Sequence, residues 1–267
     1  MRVAVVGHVE WAEFLRVERV PSQGEIVHAL ERWEEPAGGG GVAAVQLAAL
    51  AGNVTLYTAF GGDALGRRAR TELERRGVHV HAGTRPEPQR CALVYIDESG
   101  ERTITVIGPR HAPRLADPLP WEELAETDAV YFTAGGVEVL QQARRARVLV
   151  ATSRERRTLV DAGLAIDAVV GSREDDAEQV APADLDPGAQ VVVTTAGALG
   201  GWLRPGGPFR AVKLPGPLED SYGAGDSFAA GLTYGLGRGW SVDEAVAAAA
   251  ACGAEALTRR GAHGLPD

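Results

Sequence analysis

Lysine is nearly absent. Lys213 is the only one among 267 residues, so almost all positive charge is arginine. No Gly-Lys-Ser/Thr triplet occurs, which excludes a Walker-type phosphate loop. Cys91 and Cys252 are the only cysteines. They lack metal-ligand spacing and sit in apolar surroundings, which reads as two reduced, buried thiols and a cytoplasmic protein. No apolar run is long enough to span a membrane. The chain opens directly on a strand-like run, with no signal peptide in view. The formal net charge of -9 argues against a general nucleic-acid or anionic-membrane surface. A local phosphate site is compatible with that charge. No internal repeat is present. The content of 45% hydrophobic and 24% charged residues is that of a globular domain with a sizeable core.

The most informative stretch runs from Asp220 to Phe228, with Gly223, Ala224, Gly225 and Asp226 at its centre. Glycines at a turn allow close backbone approach, and the helix that follows offers amides with no partner inside the helix. The dipole adds partial positive charge, so the turn is a seat for phosphate or a developing anion. A carboxylate beside such a seat repels the anion. Asp226 is therefore either a helix cap or a general base that takes a hydroxyl proton while the amides hold a phosphoryl group. Phe228, Leu232 and Leu236 follow at helical spacing, and Gly231 and Gly235 near that face imply a close neighbour.

This stretch resembles the C-terminal signature of the ribokinase family, the PfkB carbohydrate kinases, whose usual form is Asp-Thr-x-Gly-Ala-Gly-Asp. Here Ser221 takes the Thr place. Further segments agree in order and spacing over nearly the whole chain. Pro21-Ser22-Gln23-Gly24-Glu25 resembles the family's Pro-x-x-Gly-Glu. Gly38 to Gly41 resembles its first glycine signature, with Ala43 in place of the usual Asn. Gly62-Asp63 opens a helix in the family manner, with Asp63 as its cap. Thr195-Ala196-Gly197-Ala198-Leu199-Gly200 resembles the Thr-x-Gly-x-x-Gly phosphate loop, and a tight hairpin turn is compatible with that. Ser172 and Asp175 stand as shortened equivalents of Asn-x-x-Glu, although a helix cap explains them equally well. Gly108-Pro109-Arg110 replaces the common Gly-Ala-Asn.

The rest of the chain reads coarsely. Arg2 to Gly7 reads as a buried strand ending in a glycine turn, and His8 after it is taken as structural. Phe14 to Val20 and Ile26 to Trp33 suggest a hairpin about Pro21 to Gly24, and Cys91 to Asp97 with Arg102 to Ile107 a second one. Arg102 is most simply a surface charge, and Arg67-Arg68 solvated surface. Val130 to Thr133, Val148 to Val150, Ala168 to Val170 and Val191 to Thr195 look like buried parallel strands between helices. Ser241 to Glu244 is a capping box.

The resemblance implies an α/β fold: a three-layer ribokinase-like (Rossmann-like) domain over 1–267, with a mostly parallel central sheet. A small lid sheet comes from about 12–35 and 90–107. It implies ATP-dependent phosphorylation of a hydroxyl on a sugar or related small polyol. Asp226 is the expected base and Gly223 to Gly225 the anion hole. Ser172, Thr195, Gly197 and Gly200 are expected at the nucleotide, and Glu10, Gly38 and Gly39 at the acceptor. Mg²⁺ is expected through water on Asp175, and use of a monovalent cation such as K⁺ stays open. A homodimer through the lid is expected, with no nucleic-acid or membrane partner. Two family acceptor contacts are missing, at Ala12 and Ala43, and Glu10 or Glu13 is available instead. That leaves two alternatives: a nucleoside kinase with Trp11 or Trp33 stacking on a base, and a sugar or nucleotide sensor that has lost catalysis.

Overall fold

A computed structural model describes residues 1–185 and 188–264. The first half runs β1 (Val3–Val6), β2 (Glu10–Arg16), β3 (Glu31–Ala37), α1 (Gly38–Ala51), β4 (Val54–Gly61), α2 (Ala64–Arg75), β5 (Val78–Arg85), β6 (Cys91–Ile96) and β7 (Arg102–Ile107). The second half runs β8 (Ala129–Phe132), α3 (Val137–Ala143), β9 (Val148–Thr152), α4 (Arg156–Ala162), β10 (Ile166–Ser172), β11 (Ala189–Thr195), β12 (Gly201–Arg204), β13 (Pro208–Phe209), α5 (Ala224–Gly237) and α6 (Val242–Ala256).

Nine strands form one sheet in the order β13-β12-β11-β10-β9-β8-β1-β4-β5. All neighbours in it are parallel except the β11-β12-β13 edge. Strand alternation sorts the core into two layers. Val3 and Val5 face one side with Val150, Val191 and Val193, under α1, α2, α5 and α6. Ala4 and Val6 face the other with Phe132, Leu149 and Val192, under α3 and α4. Each aliphatic side chain fully buried this way contributes roughly 1.5–3 kcal/mol. Both faces are covered, which is why these strands read as nearly continuous apolar runs. The close neighbour expected at Gly231 and Gly235 is α6. A Cβ on either glycine would lie 2.8 Å from the Cα of Ala249 or Ala245.

A second sheet has the order β3-β2-β6-β7. Its inner face buries Ala12, Phe14, Val94 and Ile96 with Tyr222 and Ala262. The first hairpin differs from expectation. Its strands begin and end nearer the core, and the expected Pro21 to Gly24 turn lies inside the long loop between β2 and β3. Glu25 N–H does close a turn on the Ser22 carbonyl, 3.1 Å. Ile26 and Leu30, 91% and 58% exposed, mimic strand alternation but have no sheet face to cover them. Strands β5, β12 and β13 were not foreseen, because their short runs mix polar residues with apolar ones. Cys252 is buried and Cys91 only half-buried. Among the described residues no helix is long and apolar enough to cross a membrane.

Candidate active site

The carboxyl ends of β1 and β8, through His8 and Thr133, come close to Asp226 in the first turn of α5. Gly223 precedes that helix with φ 75°, a left-handed conformation that favours glycine. Ser227 N–H bonds the Gly223 carbonyl at 2.9 Å, closing the first turn. The amides of Ala224, Gly225 and Asp226 have no acceptor among the described residues, and no side chain caps the helix. Asp226 lies in this first turn, partly exposed. No described residue donates a hydrogen bond to its carboxylate, so it caps nothing. Burial pushes its pKa up to about 6; repulsion from Glu178 adds to this, and His8, Arg154 and Arg102 oppose it.

The acceptor-side glycines come to the same place. A Cβ on Gly39 would lie 3.0 Å from Asp226 Oδ1 and 3.0 Å from Thr133 Oγ1. Gly38, at φ 78°, abuts Glu10 and His8, and its N–H donates to the Tyr222 hydroxyl at 3.4 Å. Glu10 is buried between His8 Nε2 at 3.5 Å and Arg90 Nε at 2.6 Å. Burial opposes its ionisation, yet His8 and Arg90 hold its pKa below the usual carboxylate value. Glu13 points to the other face of β2 and pairs with Arg32, so only Glu10 of the two belongs here. Ala12 and Ala43 are fully buried in apolar clusters. His8 Nδ1 and Thr133 Oγ1 are buried without partners among the described residues.

Ser172 and Thr195 are register neighbours at the ends of β10 and β11. Thr195 Oγ1 donates to the Gly171 carbonyl at 3.2 Å, and Ser172 Oγ accepts from Glu174 N–H at 3.1 Å. The loop after Thr195 is a tight turn: Ala196 N–H bonds the Gly200 carbonyl at 2.8 Å, with Gly197 and Gly200 at φ 52° and 90°. Only glycine fits at Gly200, where a Cβ would lie 2.1 Å from the Phe209 carbonyl oxygen. Asp175 accepts from Ala177 N–H at 2.9 Å and also pairs with Arg154. Arg154 holds Glu178 as well, at 2.6 Å.

Five residues here were missed or discounted by sequence reasoning: His8, Arg90, Thr133, Arg154 and Glu178. The spacing Asp175-x-x-Glu178 is itself an acid-x-x-Glu pattern, three residues after the one chosen, and would have found Glu178. His8 and Thr133 each follow a buried strand at its carboxyl end, where parallel sheets bind ligands. Arg102 is not a free surface charge. Its guanidinium donates to the Ser221 carbonyl, while Ser221 N–H bonds the Gly100 carbonyl at 3.0 Å. The β6–β7 turn is thereby tied to the segment leading into α5. Arg68 is likewise engaged, lying over the Trp11 ring at 4.3 Å and pairing with Glu34.

The description of the pfkB family of carbohydrate kinases matches residues 1–158 and 146–267. The chain belongs to this family. As a PfkB carbohydrate kinase it is a phosphotransferase with an alcohol acceptor. It is 30% identical to a protein of Halopiger xanaduensis named ATP-dependent ribose-1-phosphate kinase, over 100% of this chain and 95% of that one. It is 23% identical to a ribokinase of Lactococcus lactis, over 98% and 93%. Its fold is similar to that of a ribokinase from Thermotoga maritima, with a TM-score of 0.77 at 21% identity over 98% and 94% of the two chains. A nucleoside kinase from Methanocaldococcus jannaschii is similar too, with a TM-score of 0.73 at 16% identity over 98% and 93%. These matches span nearly the full length of the given sequence.

Proposed function

We propose that this PfkB kinase transfers the γ-phosphoryl group of ATP to a hydroxyl of a sugar or small polyol, with Asp226 as general base. The observation that carries the reading is the pairing of three amides at Ala224, Gly225 and Asp226, unpartnered among the described residues, with a carboxylate that accepts no hydrogen bond from any of them. Asp226 takes the hydroxyl proton, and the freed oxygen forms a bond to the γ-phosphorus. The bond to the leaving oxygen breaks and ADP departs. The amides hold the charge that builds on the transferring group, where preorganised donors cost no reorganisation. Phosphoryl transfer depends mainly on such positioning and charge stabilisation.

Thr195, Gly197, Gly200 and Ser172 line the nucleotide side, and Glu10, Gly38 and Gly39 the acceptor side. The names of two relatives, an ATP-dependent ribose-1-phosphate kinase and a ribokinase, support ATP as the donor and a sugar as the acceptor. No group of three or more metal-ligating side chains exists among the described residues. Asp175 and Glu178 are instead held by Arg154. Asp175 and Glu178 would hold a Mg²⁺ only through water, and the ion would supply neutralisation of phosphate charge. Asp220 is fully buried, and its carboxylate accepts from Tyr222 and Gly261 N–H at 2.9 and 2.6 Å.

The nucleoside alternative loses its stacking platforms. Trp11 is covered by Arg68, and Trp33 is sandwiched between Phe14, centroids 5.0 Å apart, and Arg260 at 4.1 Å. The sensor alternative leaves the unbonded carboxylate of Asp226 without a purpose. We also propose that β7, exposed along its whole length with Ile104, Val106 and Ile107 at 40%, 42% and 60%, pairs the small sheet with that of a second copy.

The test is ADP release from ATP over a panel of pentoses, hexoses, polyols and nucleosides. A sugar or polyol acceptor should raise release well above the rate without acceptor. Release with nucleosides alone, or binding without any release, would overturn the reading.

A further inference from the structure

The segment Leu218 to Tyr222 leads into the turn that opens α5, and the small sheet grips it. Gly100, at φ 80°, stands in the β6–β7 turn. A Cβ there would lie 3.3 Å from Leu218 Cγ and 3.4 Å from the Glu219 carbonyl oxygen, so glycine permits the approach. The turn is already braced from within. The Asp97 carboxylate accepts from Ser99 N–H at 2.9 Å and from Ser99 Oγ at 2.6 Å, and Gly100 N–H bonds the Asp97 carbonyl at 3.0 Å.

The grip falls on both backbone groups of one residue. Ser221 N–H donates to the Gly100 carbonyl at 3.0 Å, and one nitrogen of the Arg102 guanidinium donates to the Ser221 carbonyl. The Ser221 side chain adds only a 3.4 Å contact with Glu101. The next residue, Tyr222, is buried in the core of the small sheet, edge-on to Phe14 with ring centroids 5.0 Å apart. Its hydroxyl accepts from Gly38 N–H at 3.4 Å, so the acceptor-side glycines and the strand that carries Gly223 share one packed unit. The charge of Arg102 reaches the same place. Burial raises the pKa of both Asp220 and Asp226, and Arg102 works against that rise in each. Arg102 itself is exposed and belongs to none of the apolar clusters of the core.

We infer that Arg102 is a positioning residue for phosphoryl transfer: with Gly100 it fixes the backbone at Ser221 and so aims the amides of Ala224, Gly225 and Asp226. The inference rests on the kinase reading above and adds a residue that touches neither substrate nor the reacting atoms. These amides act on charge that builds during transfer, so their aim governs turnover more than binding. A misplacement of about 1 Å in such a group can cost about 100-fold.

The test is steady-state ADP release, with the best acceptor of the panel above, by the wild type, Arg102→Ala, Arg102→Lys and Glu101→Gln. Arg102→Ala should lower kcat about 10–100-fold, the range for losing a hydrogen bond to a charged group. KM for acceptor and for ATP should stay within about twofold, since neither touches Arg102. Calorimetry with a non-hydrolysable ATP analogue should give an unchanged stoichiometry, which separates lost aim from lost fold. Arg102→Lys should recover part of kcat, because an ammonium supplies the single donor that the Ser221 carbonyl uses. Glu101→Gln spares both backbone bonds and should match the wild type within about twofold. Hydrogen exchange over residues 218–228 reads the grip without turnover. The amides of Ser221, Tyr222 and Ser227 are hydrogen-bonded in the wild type and should exchange about 10–100-fold faster in Arg102→Ala. An unmoved kcat in Arg102→Ala would overturn the inference, as would a raised acceptor KM with kcat kept, which marks a direct substrate contact. A wild type that releases no ADP with any acceptor sinks the kinase reading instead, and unmoved exchange rates in Arg102→Ala then overturn the grip as well.

Discussion

Replacing Asp226 with Asn should make the protein slower and more stable at once. Burial and Glu178 penalise the charge of this carboxyl and push its pKa from the 3.8 of a free Asp up to about 6. A pKa raised by folding means that ionisation costs stability. That stability is fully present below the unfolded value and is lost as pH rises through the folded one. The gap is about two units, which at about 1.4 kcal/mol per unit sets a ceiling near 3 kcal/mol. Asp226 is partly exposed, so solvent screening reduces this to about 1–3 kcal/mol. With an unfolding entropy of about 2.1 cal/mol/K per residue, the gain in Tm is about 2–5 °C at pH 8. It should shrink below pH 6 and vanish near pH 4. Asn keeps the shape but cannot take a proton, so kcat should fall about 10²–10⁴-fold, the usual contribution of a general base. In the wild type, kcat/KM should rise with pH through an apparent value near 6. Differential scanning calorimetry from pH 4 to 8 and steady-state ADP release read both effects. Wild-type turnover in the variant would remove Asp226 from the mechanism. A variant less stable than wild type at pH 8 would refute the burial argument.

Glu178→Gln removes a neighbour that raises the Asp226 pKa, so the rising limb of kcat/KM should move to lower pH, and an unmoved limb would show that this field is negligible. The same variant frees Arg154 from one of its two carboxylates and should raise KM for the magnesium–nucleotide complex several-fold. Ile104→Glu, on the exposed β7 edge, should convert a dimer seen by sedimentation into a monomer; a wild type that is already monomeric at micromolar concentration refutes that interface.

The central layers were legible because burial on both faces forces apolar runs, as in Val130 to Phe132 and Val191 to Val193, and these need no context to be recognised. Glycine spacing carried the turn into α5, since only a residue without Cβ suits Gly223, and it carried the contact with α6 at Gly231. The small sheet was legible in existence but not in its first hairpin, where exposed apolar residues such as Ile26 imitate a strand. Site residues whose chemistry depends on neighbours could not be read singly. Thr133 looks ordinary until Gly39 brings it beside Asp226, His8 until Gly38 and Glu10 close on it, and Arg102 looks like a solvated charge until the β6–β7 turn meets Ser221.

The order of residues thus fixed the layered α/β architecture and the phosphate-seating turn, because periodicity and glycine placement act over a few residues. Folding alone decided which charges meet: Glu178 against Asp226, Arg90 against Glu10, and Arg110 against Glu155. Electrostatic coupling acts through space between strand ends that are far apart in the chain, and no local pattern encodes it.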